Sequence, residues 1–477
     1  MMNTFFKNSF SFLLTFFFSV FFILINLFVY SQDISGAWSG AVSVQGTSLR
    51  IVFHINKTDS GYTSTMDSPD QGVNGIPVDK TTFVSEKLSI TMEKLKLLYE
   101  ASIKGDSLFS GTLKQGGMGF PLDLKRGLME KVKINRPQEP IKPYPYVSDD
   151  ISFDNNKDSV HLSGTLAIPN KDGVFPAVIL ISGSGPQNRD EELLGHKPFL
   201  VLSDFLTRNG FAVLRYDDRG VGKSKGKFST ATSYDFSNDA EAAFEYLRNR
   251  KEIRKDKIGL MGHSEGGIIA PMIAARNKDV GFVVMLAGPG LTGDKVILRQ
   301  QELIGRIGGE SEGDIKKNKS LNKKIYAVIH KNKSQEETKK DVSEIVKKMV
   351  EKDTSFLSNS GVSAAEFISL KARESTSPWF IYFINHDPRP DLERVSCPVL
   401  AINGDKDLQV YSKDNLPAIE KALKKGGNKK YMIKEVTGVN HLFQECKTGS
   451  PDEYSEIEQT MSPGVLNEIL GWMKGIL

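Results

Sequence analysis

The sequence predicts an α/β domain preceded by a small all-β domain, and three observations carry that reading. From Pro176 onward apolar strands alternate with helical stretches. Between Gln32 and about Arg126 short β-rich runs follow one another without helices. Pro137, Pro140, Pro143 and Pro145 fall between the two regions. Strands apolar on both faces, with helices between them, imply a mostly parallel sheet covered on each side.

The 477 residues exceed what one core supports, so at least two domains are expected. Composition is that of an ordinary globular protein, 39% hydrophobic and 25% charged. A net charge of +4 on so long a chain argues against a dedicated nucleic-acid binder. Two cysteines, Cys397 and Cys446, exclude a disulfide framework and any cysteine-based metal cluster. They leave open one bridge or two free thiols. Residues 1–31 read as a targeting segment. Lys7 supplies the positive flank, Phe10 to Tyr30 is nearly all apolar, and Val29-Tyr30-Ser31 offers a cleavage site before Gln32. The run is also long enough to serve as an N-terminal membrane anchor. Either way the folded part is expected to be exported.

Residues 32–126 show the strand and turn spacing of a small antiparallel barrel or sandwich. His54 lies in an alternating strand there and reads as structural. Residues 127–147, with the four prolines, read as a semi-rigid linker, since proline resists both helix and sheet. The second domain, 148–477, opens with a hairpin around Val160, Leu162, Leu166 and Ile168, its turn placed at Pro169 to Gly173. Strands are expected at Ala177–Ile181, Phe211–Arg215, Lys257–Met261, Gly281–Leu286, Val399–Ile402 and Lys430–Val436. Helices are expected near Lys197–Asn209, Tyr234–Asn249, Gly266–Arg276, Ser412–Lys424 and Pro463–Leu477. From about 290 to 394 the alternation stops. Val342, Ile345, Val346, Met349 and Val350 keep helical spacing, and the aromatic run Trp379-Phe380-Ile381-Tyr382-Phe383 follows. An all-helical insertion at that point would cap the C-terminal edge of the sheet, where open α/β folds bind ligands.

The chemistry centres on Gly262-His263-Ser264-Glu265-Gly266. A strand runs into this Gly-x-Ser-x-Gly and a small, apolar helix runs out of it. That is the context in which a strained turn pushes a serine hydroxyl out of the sheet as a nucleophile. A serine nucleophile needs a base, and His441, in Gly438-Val439-Asn440-His441, is the one histidine beyond the late strands. The base needs an acid. Asp405 and Asp407 both follow the strand Val399–Ile402, and the Gly-x-x-Asp-x-x-Val spacing favours Asp407, with Asp405 bracing the turn. Asp294 is a remote third. Backbone N–H donors for an oxyanion are expected from Glu265, directly after the nucleophile, and from Ser184 or Gly185 in the Ser182-Gly183-Ser184-Gly185-Pro186 loop. Asp217-Asp218-Arg219-Gly220-Val221-Gly222-Lys223-Ser224 lacks the upstream glycine of a phosphate loop and reads as scaffold.

Taken in order over Ser182 to Phe443, these motifs resemble the bacterial α/β-hydrolase carboxylesterases of the dienelactone-hydrolase and prolyl-oligopeptidase-like group. The resemblance implies an α/β-hydrolase fold with a helical cap, and a triad of Ser264, Asp407 and His441. It implies a small-molecule ester substrate and no metal or organic cofactor. One departure is Ser182-Gly183, where many relatives have His-Gly. In the first domain, Gly36-Ala37-Trp38-Ser39-Gly40 and Asp67 to Gly72 resemble a lipocalin-like module that accompanies exported bacterial serine hydrolases. Two other readings stay open: a peptidase or aminopeptidase on the same fold, and a surface binding protein with an inert hydrolase domain. No glutamate pair for a peptide's free amine stands out. Membrane association is expected only through residues 1–31, and the oligomeric state is not fixed.

Overall fold

A computed structural model of the chain describes residues 32–44, 47–69, 73–115, 118–128, 135–331, 333–357 and 362–477. The targeting segment 1–31 lies outside these. No helix among the described residues is long and apolar enough to cross a membrane. The chain divides into two compact units, 1–131 and 132–477.

The first unit is a closed antiparallel barrel. Its strands are β1 (Gly36–Val44), β2 (Thr47–Thr58), β3 (Gly61–Ser68), β4 (Val73–Pro77), β5 (Lys80–Val84), β6 (Lys87–Met92), β7 (Leu97–Lys104), β8 (Leu108–Gln115) and β9 (Met118–Arg126). They run in the order β2-β1-β9-β8-β7-β6-β5-β3, and β3 pairs back onto β2 to close the ring, with β4 flanking β3. Period-two patterning makes this possible. In β7, Leu97, Tyr99, Ala101 and Ile103 point inward and the residues between them outward. The interior is filled by Trp38, Phe53, Tyr99 and Phe109, and Trp38 and Phe109 lie 4.4 Å apart. The two buried polar tips find carbonyls: Trp38 Nε1–H donates to Ile34 and the Tyr99 hydroxyl to Leu122. His54 pairs with Asp67 at 2.8 Å.

The second unit is built on an eight-stranded sheet: β10 (Val147–Asn155), β11 (Val160–Ile168), β12 (Phe175–Ile181), β13 (Ala212–Tyr216), β14 (Ile253–His263), β15 (Phe282–Leu286), β16 (Val399–Gly404) and β17 (Tyr431–Val436). The order is β10-β11-β13-β12-β14-β15-β16-β17. The first three pair antiparallel and β13 through β17 are parallel. The hairpin partner of β11 is β10, so the turn at Pro169 to Gly173 does not close a hairpin. It leads into β12, which lies beyond β13 in the sheet.

Eleven helices of this unit are α1 (Pro198–Arg208), α2 (Ser233–Arg248), α3 (Gly266–Arg276), α4 (Gly293–Ile307), α5 (Glu312–Ile329), α6 (Gln335–Lys352), α7 (Ala364–Ser375), α8 (Pro378–Asn385), α9 (Arg389–Leu392), α10 (Ser412–Lys425) and α11 (Pro463–Gly475). Alternate residues of each central strand feed two cores. Ile179 and Ile181 pack with α2, α3 and α10 on one face, while Val178 and Leu180 pack with α1 and α11 on the other. This arrangement is the α/β-hydrolase fold. Helices α4 to α9 form the cap between β15 and β16. They have a core of their own, in which Val342, Val346 and Val350 of α6 are buried. Ser334 opens α6 with a capping box to Glu337.

The described part of the proline-rich stretch is hydrogen-bonded to loops of the second unit. The Arg136 guanidinium donates to the carbonyls of Leu194, Ser455 and Ile457. The Gln138 side chain bonds the backbone of Thr460 and Met461, and the Tyr146 hydroxyl bonds Asp204. Proline bars regular structure but leaves the polar residues beside it free to fasten the strap to the second unit.

Candidate active site

The elbow follows from what a side chain would strike. A Cβ at Gly262 would lie 1.9 Å from the Gly266 carbonyl oxygen, and one at Gly266 would lie 2.2 Å from that of Ile181. Strand β14 can therefore turn straight into α3 only with glycine at both places. Ser264, between them, has a φ of +52°, a left-handed value that a non-glycine residue adopts at a cost of order 1–3 kcal/mol. Its own N–H donates to Leu286 in β15. Glu265 precedes the first turn of α3, so its N–H has no acceptor within the helix.

Three loops converge on this turn. The loop after β12 brings Gly183 so close that a Cβ there would lie 3.2 Å from that of Ser264. The N–H of Gly183 donates to Glu191 at 2.7 Å, so Ser184 and Gly185 are the loop's remaining donors in the stretch picked out by sequence. The loop after β16 brings Asp407, fully buried. One of its oxygens accepts the N–H groups of Gln409 and Val410, each at 2.8 Å, and the other accepts Nδ1–H of His441 at 2.8 Å. The loop after β17 brings His441 itself, also buried. With Nδ1 carrying the proton toward Asp407, Nε2 is left as the basic atom of the ring.

The competing acids fall elsewhere. Asp405 accepts the Gly438 N–H at 2.7 Å and braces the turn before His441. Asp294 belongs to the first turn of α4 in the cap, bonded to Thr292 and near His330. Cys397 and Cys446 are both free thiols. In the Asp217-Asp218-Arg219 loop, Asp217 takes Arg189 in a two-pronged pair, and Asp218 accepts from the Ser182 hydroxyl. Arg219 grips Asp239 through two nitrogens. This loop ties the chain around the site together.

Several groups at the site carry no sequence signal. Glu191 sits in the charged run Arg189-Asp190-Glu191-Glu192, yet its carboxylate is buried and bonds the Gly183 N–H and the His263 ring. Burial disfavours charge on His263, but the Glu191 carboxylate outweighs it and holds the imidazolium's pKa above the ordinary histidine value. Glu265 also gains side-chain partners, the Ser233 hydroxyl at 2.6 Å and the cap's Trp379 Nε1–H at 2.8 Å. Burial still raises its carboxyl pKa against those two donors. Trp379 stacks on Phe383, and Phe383 packs on Ile268 and Met272 of α3. The cap thus rests on the helix that leaves the elbow.

Residues 199–443 match the serine aminopeptidase S33 family, which covers the elbow, the cap and both late loops. The chain belongs to that family. This S33 chain is therefore a hydrolase. It is 29% identical over 331 residues to esterase EstD of Thermotoga maritima, a match spanning 69% of each protein. To a putative hydrolase, YtaP, of Bacillus subtilis it is 30% identical over 134 residues, 24% of this chain and 44% of that one. Among solved structures, the esterase Pf2001 of Pyrococcus furiosus aligns with a TM-score of 0.42 at 17% identity, over 72% of this chain and 99% of that one. An acylaminoacyl peptidase of Pyrococcus horikoshii aligns with a TM-score of 0.42 at 13% identity, over 89% of this chain and 61% of that one.

Proposed function

We propose that the protein is an exported serine esterase that cleaves small carboxylic esters through Ser264, His441 and Asp407. The observation that carries the reading is a serine strained onto an elbow beside a buried Asp407–His441 pair, on a fold and in a family of hydrolases. Ser264 Oγ attacks the ester carbonyl as His441 Nε2 takes its proton. Negative charge gathers on the carbonyl oxygen, facing the N–H groups of Glu265 and of Ser184 or Gly185. His441 then protonates the departing alcohol, and water hydrolyses the acyl-enzyme by the same route. Loss of one oxyanion donor typically lowers turnover by about 10²–10³. Residues 1–31 direct the chain out of the cytoplasm, to a periplasmic, secreted or surface location.

The S33 family's description favours a second reading, amide cleavage at a peptide's N-terminus. The resemblance to EstD along 69% of each chain supports the ester reading. A panel of p-nitrophenyl acyl esters set beside aminoacyl p-nitroanilides separates them. The esters are expected to turn over and the anilides not, and faster anilide turnover would reverse the assignment. A fluorophosphonate probe is expected to label the wild type and to leave Ser264→Ala unlabelled. An unlabelled wild type would point instead to a binding protein with an inert hydrolase domain.

A further inference from the structure

His263 occupies the last position of β14, directly before the nucleophile, and both of its ring nitrogens face oxygen. Nδ1 lies 2.9 Å from Glu191 Oε1, and Nε2 lies 3.0 Å from the main-chain carbonyl of His441. A carbonyl only accepts, so Nε2 carries a hydrogen. A carboxylate also only accepts, so with Glu191 ionised Nδ1 carries one too, and the ring is then an imidazolium. The same Glu191 oxygen also accepts the Gly183 N–H at 2.7 Å. The two side chains are only 9% and 7% exposed, so each is the other's main compensation for leaving water.

Two other titratable groups face the His263 ring. One is His441, its ring centroid 4.8 Å away, and the other is Asp407, the partner of His441 Nδ1. The Phe443 ring covers a further side at 6.4 Å. A cation at that separation opposes a second positive charge on His441, an effect that Glu191, bonded to the far nitrogen, offsets only in part.

We infer that His263 is a standing imidazolium that fixes the backbone of His441 and helps keep the His441 ring unprotonated between turnovers. Glu191 serves as its counter-ion and as its tie to the Gly183 loop. Both are positioning residues, since neither reaches the reacting atoms. The inference rests on Ser264 and His441 acting as nucleophile and base. It gives the residue beside the nucleophile an electrostatic task, where a purely structural histidine would only pack.

Two measurements test it. In the full chain labelled with ¹⁵N-histidine, the His263 signals are assigned by their loss in His263→Gln. Both ring nitrogens are expected to be protonated at pH 7 to 8, and a neutral ring in the wild type overturns the inference whatever the variants do. The second measurement is the pH profile of kcat/KM on p-nitrophenyl acetate. In Glu191→Gln the His263 ring turns neutral, and the acid limb is expected to move up by about one pH unit or less. Glu191→Asp, which keeps the charge, is expected to return the limb toward its wild-type position. A purely structural Glu191 would lower the rate at every pH and leave the limb in place, and that result overturns the inference. Should Glu191→Gln not fold, the wild-type signals decide. Failure of the esterase reading shows separately, as absence of fluorophosphonate labelling in the wild type.

Discussion

Asp407 divides its carboxylate between two tasks, and that division predicts what its loss costs. One oxygen holds the loop through Gln409 and Val410, and the other holds His441. In Asp407→Asn the carbonyl oxygen can still serve the loop, but the amide now presents hydrogens to Nδ1. That stabilises the tautomer whose Nε2 is blocked by a proton. The expected result is a folded protein whose kcat on the same ester falls by about 10⁴. Asp405→Asn keeps an acceptor for the Gly438 N–H and is expected to stay within about tenfold of wild type, since only the turn is touched. A larger loss in Asp405→Asn than in Asp407→Asn would exchange their roles. In the spacing Gly-x-x-Asp-x-x-Val, the valine is Val410, one of the residues whose N–H bonds back to Asp407. Glu191 was not legible, because its partners lie 8 and 72 positions away and nothing local tells a buried carboxylate from a solvated one.

At the scale of elements, α8 sets how the cap meets the site. Pro378 opens it and the Ser377 hydroxyl accepts the Phe380 N–H, so a stable short helix carries a face of Trp379, Tyr382 and Phe383. The aromatic run and the halt in strand–helix alternation made the cap visible in the sequence. Its attachment was not, since the Trp379–Glu265 hydrogen bond spans 114 residues. Trp379 reaches from the cap to the residue after the nucleophile, so Trp379→Ala is expected to open space there and admit longer acyl chains. The ratio of kcat/KM for p-nitrophenyl octanoate to that for the acetate should rise by about tenfold, the effect of about 1.4 kcal/mol. Trp379→Phe keeps an aromatic ring there but removes the donor to Glu265, and should lower turnover on both esters without changing the ratio. A ratio unmoved in Trp379→Ala would place the acyl chain away from α8.

For the whole molecule, the decisive feature is that each unit has its own core. The barrel buries Trp38, Phe53, Tyr99 and Phe109 together, and the hydrolase unit buries separate clusters on its two sheet faces and in its cap. Period-two and strand–helix patterns made both units legible, because each pattern reports a face that must leave water. The strap from Asn135 to Tyr146 was harder, because its prolines announce irregular backbone while Arg136 and Gln138 decide where it lies. Separate cores should melt separately. Phe109 is fully buried against Trp38, and Phe109→Ala removes a ring whose loss typically costs about 3–5 kcal/mol. For a domain the size of the barrel, that lowers its Tm by more than about 10 °C. Calorimetry is expected to show two transitions in the wild type, only one of which moves in Phe109→Ala. The transition that tracks loss of ester hydrolysis should stay where it was. If both move together, the two cores unfold as one cooperative unit, and the barrel then contributes to the stability of the hydrolase unit.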